Sequence, residues 1–216
     1  MEKMNILARY GKYGVIYIIF LVGVAGHLIE AVRPLMLAMT PYTLLVMSSY
    51  VLWFAMREAG PVLMVWGAVV FAATFLLEAA GVYTGLLFGT YEYGDVLGST
   101  ILGVPPIIGL NWVMVVLGAA GIAGRFLKRP LPAALATAVL AVAFDFIMEP
   151  VAIQLGYWSW GGNGDIPLQN YGMWAVASFV LSWPLFRIPI RHTMPVVIHY
   201  FFALALFFAI LLAVKL

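Results

Sequence analysis

Seven apolar stretches, each near the length of a transmembrane helix, dominate this sequence. They fall at residues 13–32, 38–56, 61–80, 104–124, 131–155, 172–188 and 194–214. A helix needs about 20 consecutive apolar residues to cross the hydrocarbon core of a bilayer, and inside that core only internally hydrogen-bonded backbone is tolerated. The sequence therefore predicts an all-α integral membrane protein of about seven transmembrane helices, with residues 1–216 forming a single domain.

The composition agrees with a protein that has lipid as its solvent. Hydrophobic residues make up 65% of the chain and charged residues 9%, and the mean hydropathy is +1.05, so the lipid bilayer is the expected partner. The net charge of +2 gives no indication of nucleic-acid binding. The absence of cysteine excludes disulfides and thiolate metal ligands. Because His27, His192 and His199 are far apart in the sequence, their spacing predicts no metal site.

Basic residues are distributed unevenly between the two sides that seven helices define. One side carries nine: Lys3, Arg9, Lys12, Arg57, Arg125, Lys128, Arg129, Arg187 and Arg191. The other side carries two, Arg33 and Lys215. By the positive-inside rule, this asymmetry predicts a cytoplasmic N-terminus and an extracytoplasmic C-terminus, as expected for a protein of the cell membrane. The first apolar stretch follows basic residues as in a signal peptide, but it is long enough to span, so we expect a retained helix.

Two long loops, residues 81–103 and 156–171, fall on the extracytoplasmic side and share a pattern with their flanking helices. Glu78 precedes the run GTYEYG by eleven positions, and Asp145 precedes the run GYWSWG by the same number. In both segments a proline then precedes a tryptophan by seven positions, at Pro105 and at Pro167. The pattern predicts a parallel duplication of a helical hairpin, helices 3–4 and 5–6, with units at about residues 61–124 and 131–188. The aromatic residues are typical of an interfacial belt, and they can equally form the wall of a pocket.

Acidic residues inside the predicted spans are the main candidates for function. An ionisable group inside a bilayer costs about 2.5 to 3.5 kcal/mol on insertion scales, so it usually faces the bundle interior and has a role. Asp145 and Glu149 are four residues apart and therefore share a helix face, and the repeat puts Glu78 at the depth of Asp145. Because that span contains no lysine or arginine, at least one carboxyl group of the pair should be protonated. We expect this cluster in the extracytoplasmic half of the bilayer.

Other polar residues have two interpretations each. His27 and Glu30 lie near the outer end of the first helix, where Glu30 can join the site or pair with Arg33 at the interface. Asn111 can form an interhelical hydrogen bond or belong to the site. For His199, in the cytoplasmic half, we expect an interhelical hydrogen bond.

A protonated carboxylic acid, a second carboxylate and an aromatic wall together suit acid chemistry on a hydrocarbon. Such a site can protonate an alkene, the environment separates the acid from the base, and aromatic faces stabilise a nearby cation by about 0.5 to 2 kcal/mol each. Hydration of a C=C bond is the simplest such reaction. The same membrane acids leave a small proton-coupled transporter open as an alternative. A retinal-type receptor is disfavoured because every lysine lies in a loop or near an end.

The same residues resemble the membrane proteins of carotenoid biosynthesis that include the carotenoid hydratases. The resemblance rests on TGLLFGTYEYGD, GVPPIIGLNW, FDFIMEPVA, the WSW loop and IPLQNYGMW, which together cover about residues 75–175. It implies a cofactor-independent hydratase that adds water to the terminal double bond of an acyclic (ψ) carotenoid end group, through a tertiary carbocation. A carotenoid is then the substrate, and other carotenoid-pathway enzymes are candidate partners.

The resemblance and the acid pattern together give a set of candidate site residues. Asp145 and Glu149 are the expected acid/base pair, with Glu78 as their catalytic partner. The residues expected to position substrate or water are Asn111, Tyr91, Trp112, Trp158, Asn170, His27 and Glu30. The alternative activity is that of a carotenoid end-group cyclase, which forms the same cation and captures it with an internal double bond.

Overall fold

Seven α-helices form the bulk of the computed structural model, which describes residues 2–214 and the side chains of residues 10–214. The helices are α1 (Glu2–Leu28), α2 (Arg33–Ala59), α3 (Val62–Thr84), α4 (Pro106–Phe126), α5 (Pro130–Gln154), α6 (Leu168–Ser182) and α7 (Pro195–Ala213). All except α6 are long and apolar enough to cross a membrane. The predicted helical membrane fold is confirmed at this level. Lys215 and the side chains of Lys3 and Arg9, which entered the orientation argument, lie outside the described residues.

Helix α6 differs from its predicted position. The hydropathy pattern predicts a span at 172–188, whereas α6 runs from Leu168 to Ser182 and is followed by a short 3₁₀ turn at Trp183–Phe186. Pro167, in an extended conformation, sets the start of the helix, and Pro184 cannot donate a backbone hydrogen bond, which ends it. The first turn of α6 therefore lies inside what the sequence indicated as a loop.

Helix α4 lies at the centre of the bundle and packs against α3, α5 and α7. Glycines on α4 allow α7 to approach closely: a Cβ atom at Gly118 would come within 2.6 Å of Phe201, and one at Gly121 within 3.0 Å of Ile198. Small residues at helix contacts are typical of membrane bundles. On another side of the bundle, the Tyr17 hydroxyl of α1 lies 2.9 Å from His199 Nδ1 of α7, which confirms the interhelical hydrogen bond expected for His199.

A two-stranded antiparallel sheet closes one end of the bundle and was not predicted. Strand β1 (Tyr91–Tyr93) pairs with β2 (Trp158–Trp160), with Tyr91 opposite Trp160 and Tyr93 opposite Trp158. Runs of three residues are too short to give a periodicity signal. The strands join the two glycine-aromatic runs to each other, and so bring the two long loops together over the ends of α3 and α5.

Hydrogen bonds beyond the strands are reciprocal between the two runs. The Gly94 N–H donates to the Tyr157 carbonyl at 2.9 Å, and the Gly161 N–H donates to the Thr90 carbonyl at 2.8 Å. In the predicted repeat, Gly94 corresponds to Gly161 and Thr90 to Tyr157. Matched positions therefore make equivalent hydrogen bonds across the sheet, although the duplication itself stays a prediction.

Candidate active site

A cavity of about 40 Å³ lies under the strand pair, at the ends of α3 and α5 and the beginnings of α4 and α6. Its walls include Glu78, Tyr91, Tyr93, Asn111, Trp112, Asp145, Glu149, Tyr157, Trp158, Trp160, Asn170 and Trp174. Eight of the ten candidate residues from the sequence therefore meet at one place. The local fold brings them there because α3 and α5 end, and α6 begins, at the same end of the bundle.

Asp145 and Glu149 form the polar centre of this cavity. Their residues are 1% and 3% exposed, and both carboxyl groups accept a hydrogen bond from the same side chain. The Asn170 Nδ2 atom donates to Asp145 Oδ2 at 3.0 Å and to Glu149 Oε1 at 3.2 Å. An amide nitrogen has two hydrogens, so Asn170 uses both of them to hold the two acids side by side.

The two carboxyl groups have unequal surroundings. Glu149 Oε2 also accepts hydrogen bonds from the indole nitrogens of Trp158, at 3.0 Å, and Trp160, at 3.1 Å. Glu149 thus has three donors, whereas Asp145 has one. Among the described residues, no donor reaches Asp145 Oδ1, which is buried. A buried polar atom without a partner is uncommon in proteins and calls for an explanation.

Glu78 lies on α3 across the cavity from this pair, and its charge is close enough to interact with both acids. Glu78 Oε2 accepts a hydrogen bond from the Tyr91 hydroxyl on β1. Burial, and then the nearby Glu78 carboxylate, raise the pKa of Tyr91 above its ordinary value. The phenol is therefore a neutral hydrogen-bond donor near neutral pH, and it fixes Glu78 against the strand pair.

Aromatic rings cover the rest of the cavity. Trp112 and Trp174 are stacked, with ring centroids 3.5 Å apart and an interplanar angle of 14°, and Tyr91 lies against Trp160 at 5.1 Å. The candidate set omitted Trp160 and Trp174. A signal for both was present, since the repeat pattern pairs Trp174 with Trp112 and Trp160 with Tyr93.

His27 and Glu30 are not part of this cavity. His27 is buried and its Nδ1 atom lies 2.7 Å from the Gly23 carbonyl of its own helix. Glu30 is exposed in the turn between α1 and α2. Arg33 donates its Nε hydrogen to the His27 carbonyl at 2.8 Å. The placement of both candidates away from the carboxyl cluster follows from the position of α1, which packs against α7 and α2.

The groups that face the carboxyl cluster are indole, amide and phenol N–H and O–H donors. Such donors bind a carboxylate or a water molecule. Within the part of the chain that the structure describes, no three His, Asp or Glu side chains are arranged to hold a metal. The donor set is thus suited to controlling charge and protons on the acids themselves.

The fold and the site together define a class of protein: a helical membrane protein with a buried carboxyl cluster inside an aromatic cavity. The family model for carotenoid biosynthesis proteins matches residues 35–216, and the chain belongs to that family. This finding confirms the resemblance recognised in the sequence.

The chain is also similar in sequence to a named hydratase. The chain is 30% identical to the bisanhydrobacterioruberin hydratase of Haloarcula japonica, over 48% of this chain and 38% of that protein. The match thus spans less than half the length of the relative. No solved structure matches the chain.

Proposed function

We propose that this protein is a hydratase that adds water across the terminal C=C bond of an acyclic carotenoid end group. The observation that carries the proposal is the unequal pair of buried carboxyl groups, Asp145 and Glu149, inside an aromatic cavity. Membership of the carotenoid biosynthesis family supports a carotenoid as substrate, and the name of the Haloarcula japonica relative supports hydration as the reaction.

In the proposed first step, Asp145 is the acid. Donated hydrogen bonds favour the ionised form of a carboxyl group, and Glu149 has three donors where Asp145 has one. Two adjacent buried negative charges repel, so the single proton of the pair resides on Asp145. Asp145 transfers it to the less substituted carbon of the double bond, which leaves a tertiary carbocation on the neighbouring carbon.

The cation is stabilised in two ways before water reaches it. The ionised Glu149 provides an opposite charge nearby. The rings of Trp112, Trp158, Trp160 and Trp174 line the cavity, and each aromatic face contributes about 0.5 to 2 kcal/mol to a cation that it contacts. Aromatic carbon also excludes bulk water, which protects the cation from capture at other positions.

Water then adds to the tertiary carbon and loses a proton to Glu149, giving a tertiary alcohol. The proton returns from Glu149 to Asp145, which are held on the same amide nitrogen, and the site is reset. The net reaction joins one water molecule to the carotenoid and consumes nothing else. Asn111, half-buried at the cavity wall, and Glu78 with its Tyr91 partner are polar groups that can hold the water.

Expression in a host that accumulates an acyclic carotenoid tests the proposal through the mass of the pigments. The parent protein should add the mass of one water for each end that reacts. Asp145→Asn and Glu149→Gln should each lower product formation about 10²- to 10⁴-fold, the usual contribution of general acid–base catalysis.

Glu92→Gln is the matched control, because Glu92 lies on β1 but is exposed, and it should keep full activity. The protein level of each variant is measured in the same membranes. A ring-closed product of unchanged mass would identify a cyclase and refute hydration, and full activity of both acid variants would refute the assigned pair.

A further inference from the structure

We infer that a groove on the lipid-facing side of α2, α3 and α4 binds the polyene chain of the substrate while its end group occupies the carboxyl cavity. This inference rests on the proposed function, because it supplies the rest of the binding site for the same molecule. The groove consists of two hollows of about 430 and 370 Å³.

The first argument is continuity between the cavity and the groove. Leu97 and Ile107 line both the carboxyl cavity and the first hollow. Phe71 and Leu110 line both the first and the second hollow. The cavity and the two hollows therefore adjoin one another at these two pairs of side chains, and we infer that an apolar chain follows this line from the acids to the far end of the groove.

The second argument is the direction and length of the groove. One wall is a single face of α2, from Pro41 through Leu45, Ser49 and Leu52 to Met56, which follows helical spacing. With a rise of 1.5 Å per residue, this face is about 22 Å long. The groove therefore crosses most of a hydrocarbon core that is about 30 Å thick, and it ends near the turn that joins α2 to α3.

The third argument is chemical. The residues that line both hollows are uncharged, and Gly67 and Ala68 on α3 keep the second hollow open. A conjugated polyene is rigid and loses little conformational freedom on binding, whereas a saturated acyl chain loses much more. The groove therefore favours a polyene over the acyl chains of membrane lipids.

A third hollow, outside the groove, provides a comparison. It lies between α5 and α6, around Ala143 and Val176, and its lining residues are different from those of the carboxyl cavity. Ala143 and Ala68 are both exposed to lipid on long helices. Substitution of each by phenylalanine fills one hollow, but only Ala68→Phe obstructs the proposed path.

The test measures the coloured polyene that stays bound to protein purified from a carotenoid-producing host, as absorbance per mole of protein. The parent and Ala143→Phe should retain equal pigment, and Ala68→Phe should retain about tenfold less, which corresponds to about 1.4 kcal/mol. Asp145→Asn should retain pigment, since it changes the chemistry and leaves the groove intact.

Three results would overturn the inference. The first is equal pigment on Ala68→Phe and the parent, and the second is an equal loss of pigment on Ala143→Phe. The third is displacement of the pigment from the parent by saturated phospholipid at the lipid-to-protein ratio of the native membrane. Failure of the hydratase proposal looks different. In that case pigment binding depends on Ala68 as described, while the parent yields no product with the mass of added water.

Discussion

Asn170 is the residue on which the arrangement of the two central acids depends. The residue is 2% exposed, and its two amide hydrogens are divided between Asp145 and Glu149. A residue that contacts both the acid and the base, and does not itself transfer a proton, acts by positioning them. Its loss should therefore change the balance of the pair as well as the rate.

We predict that Asn170→Leu, which keeps the volume and removes the donor, lowers the rate of hydration about 10- to 100-fold. The removal leaves two buried acceptors without a partner, a cost of about 1–3 kcal/mol for each group. The rate is measured as product per mole of protein over a range of pH. A positioning role also predicts a change in the pH profile. Asn170 supplies the one hydrogen bond that Asp145 accepts but only one of the three that Glu149 accepts, so its loss affects the two acids differently.

Asn163→Leu is the control, since Asn163 is exposed in the 156–171 loop and its amide bonds to Asp165. It should leave both the rate and the pH profile unchanged. If Asn170→Leu lowered the rate with an unaltered profile, the residue would have only a structural role.

At the residue scale, sequence reasoning found the acids and three of their four hydrogen-bond partners, Asn170, Tyr91 and Trp158, but not the contacts that these partners make. Two facts were enough to predict a cluster: Asp145 and Glu149 share one helix face, and an acid inside a membrane span costs free energy. The contacts of Asn170 depend on where α6 begins, which a proline sets four residues before the hydropathy pattern does. His27 and Glu30 show the reverse case, because polarity within an apolar stretch does not reveal which helix lies opposite.

At the scale of secondary structure, the strand pair connects the two halves of the site. It places Tyr91 against Glu78 and both indoles against Glu149. The glycine-aromatic pattern of each run is visible in the local sequence. The pairing of β1 with β2 joins residues about seventy positions apart and follows from the packing of α3 and α5. The sequence therefore predicted that the two runs are related by a repeat, but it did not predict that they pair as strands.

A graded glycine series tests the importance of this pair. A Cβ atom at Gly94 would overlap the Gly156 carbonyl, whereas one at Gly161 would lie 3.3 Å from Thr90. We predict that Gly94→Ala lowers the free energy of unfolding by about 1–3 kcal/mol, the usual cost of forced overlap, and that Gly161→Ala has a smaller effect. Thermal unfolding in detergent and product formation are measured together.

Gly172→Ala is the control for this series, because no atom lies within 4 Å of a Cβ at that position. It sits within α6 and should be neutral or slightly stabilising. Equal effects of Gly94→Ala and Gly172→Ala on stability and activity would show that the close approach of the strands does not matter.

For the molecule as a whole, the orientation in the membrane stays a prediction. Basic residues predict that the N-terminus is cytoplasmic, and the carboxyl cavity would then open toward the extracytoplasmic half. The prediction can be tested directly because the chain has no cysteine, so that one introduced thiol reports one position.

We predict that a membrane-impermeant thiol reagent labels Asn163→Cys in intact cells and labels Lys128→Cys only after the membrane is permeabilised. Both side chains are exposed, and they lie in loops at opposite ends of α5. Labelling is measured by the mobility of the protein on gels. The opposite pattern would invert the topology and put the site at the cytoplasmic face.

The cavity lies at one end of the bundle, and this position has a consequence for substrates that are alike at both ends. A long linear molecule cannot bring its two termini to Asp145 and Glu149 at the same time, and a groove along α2 holds the second terminus far from the first. Under the proposed function, we therefore expect modification of both ends to be distributive: the half-modified molecule dissociates into the bilayer, turns end for end and binds again. The ratio of singly to doubly modified product should then depend on competition between fresh substrate and returning intermediate.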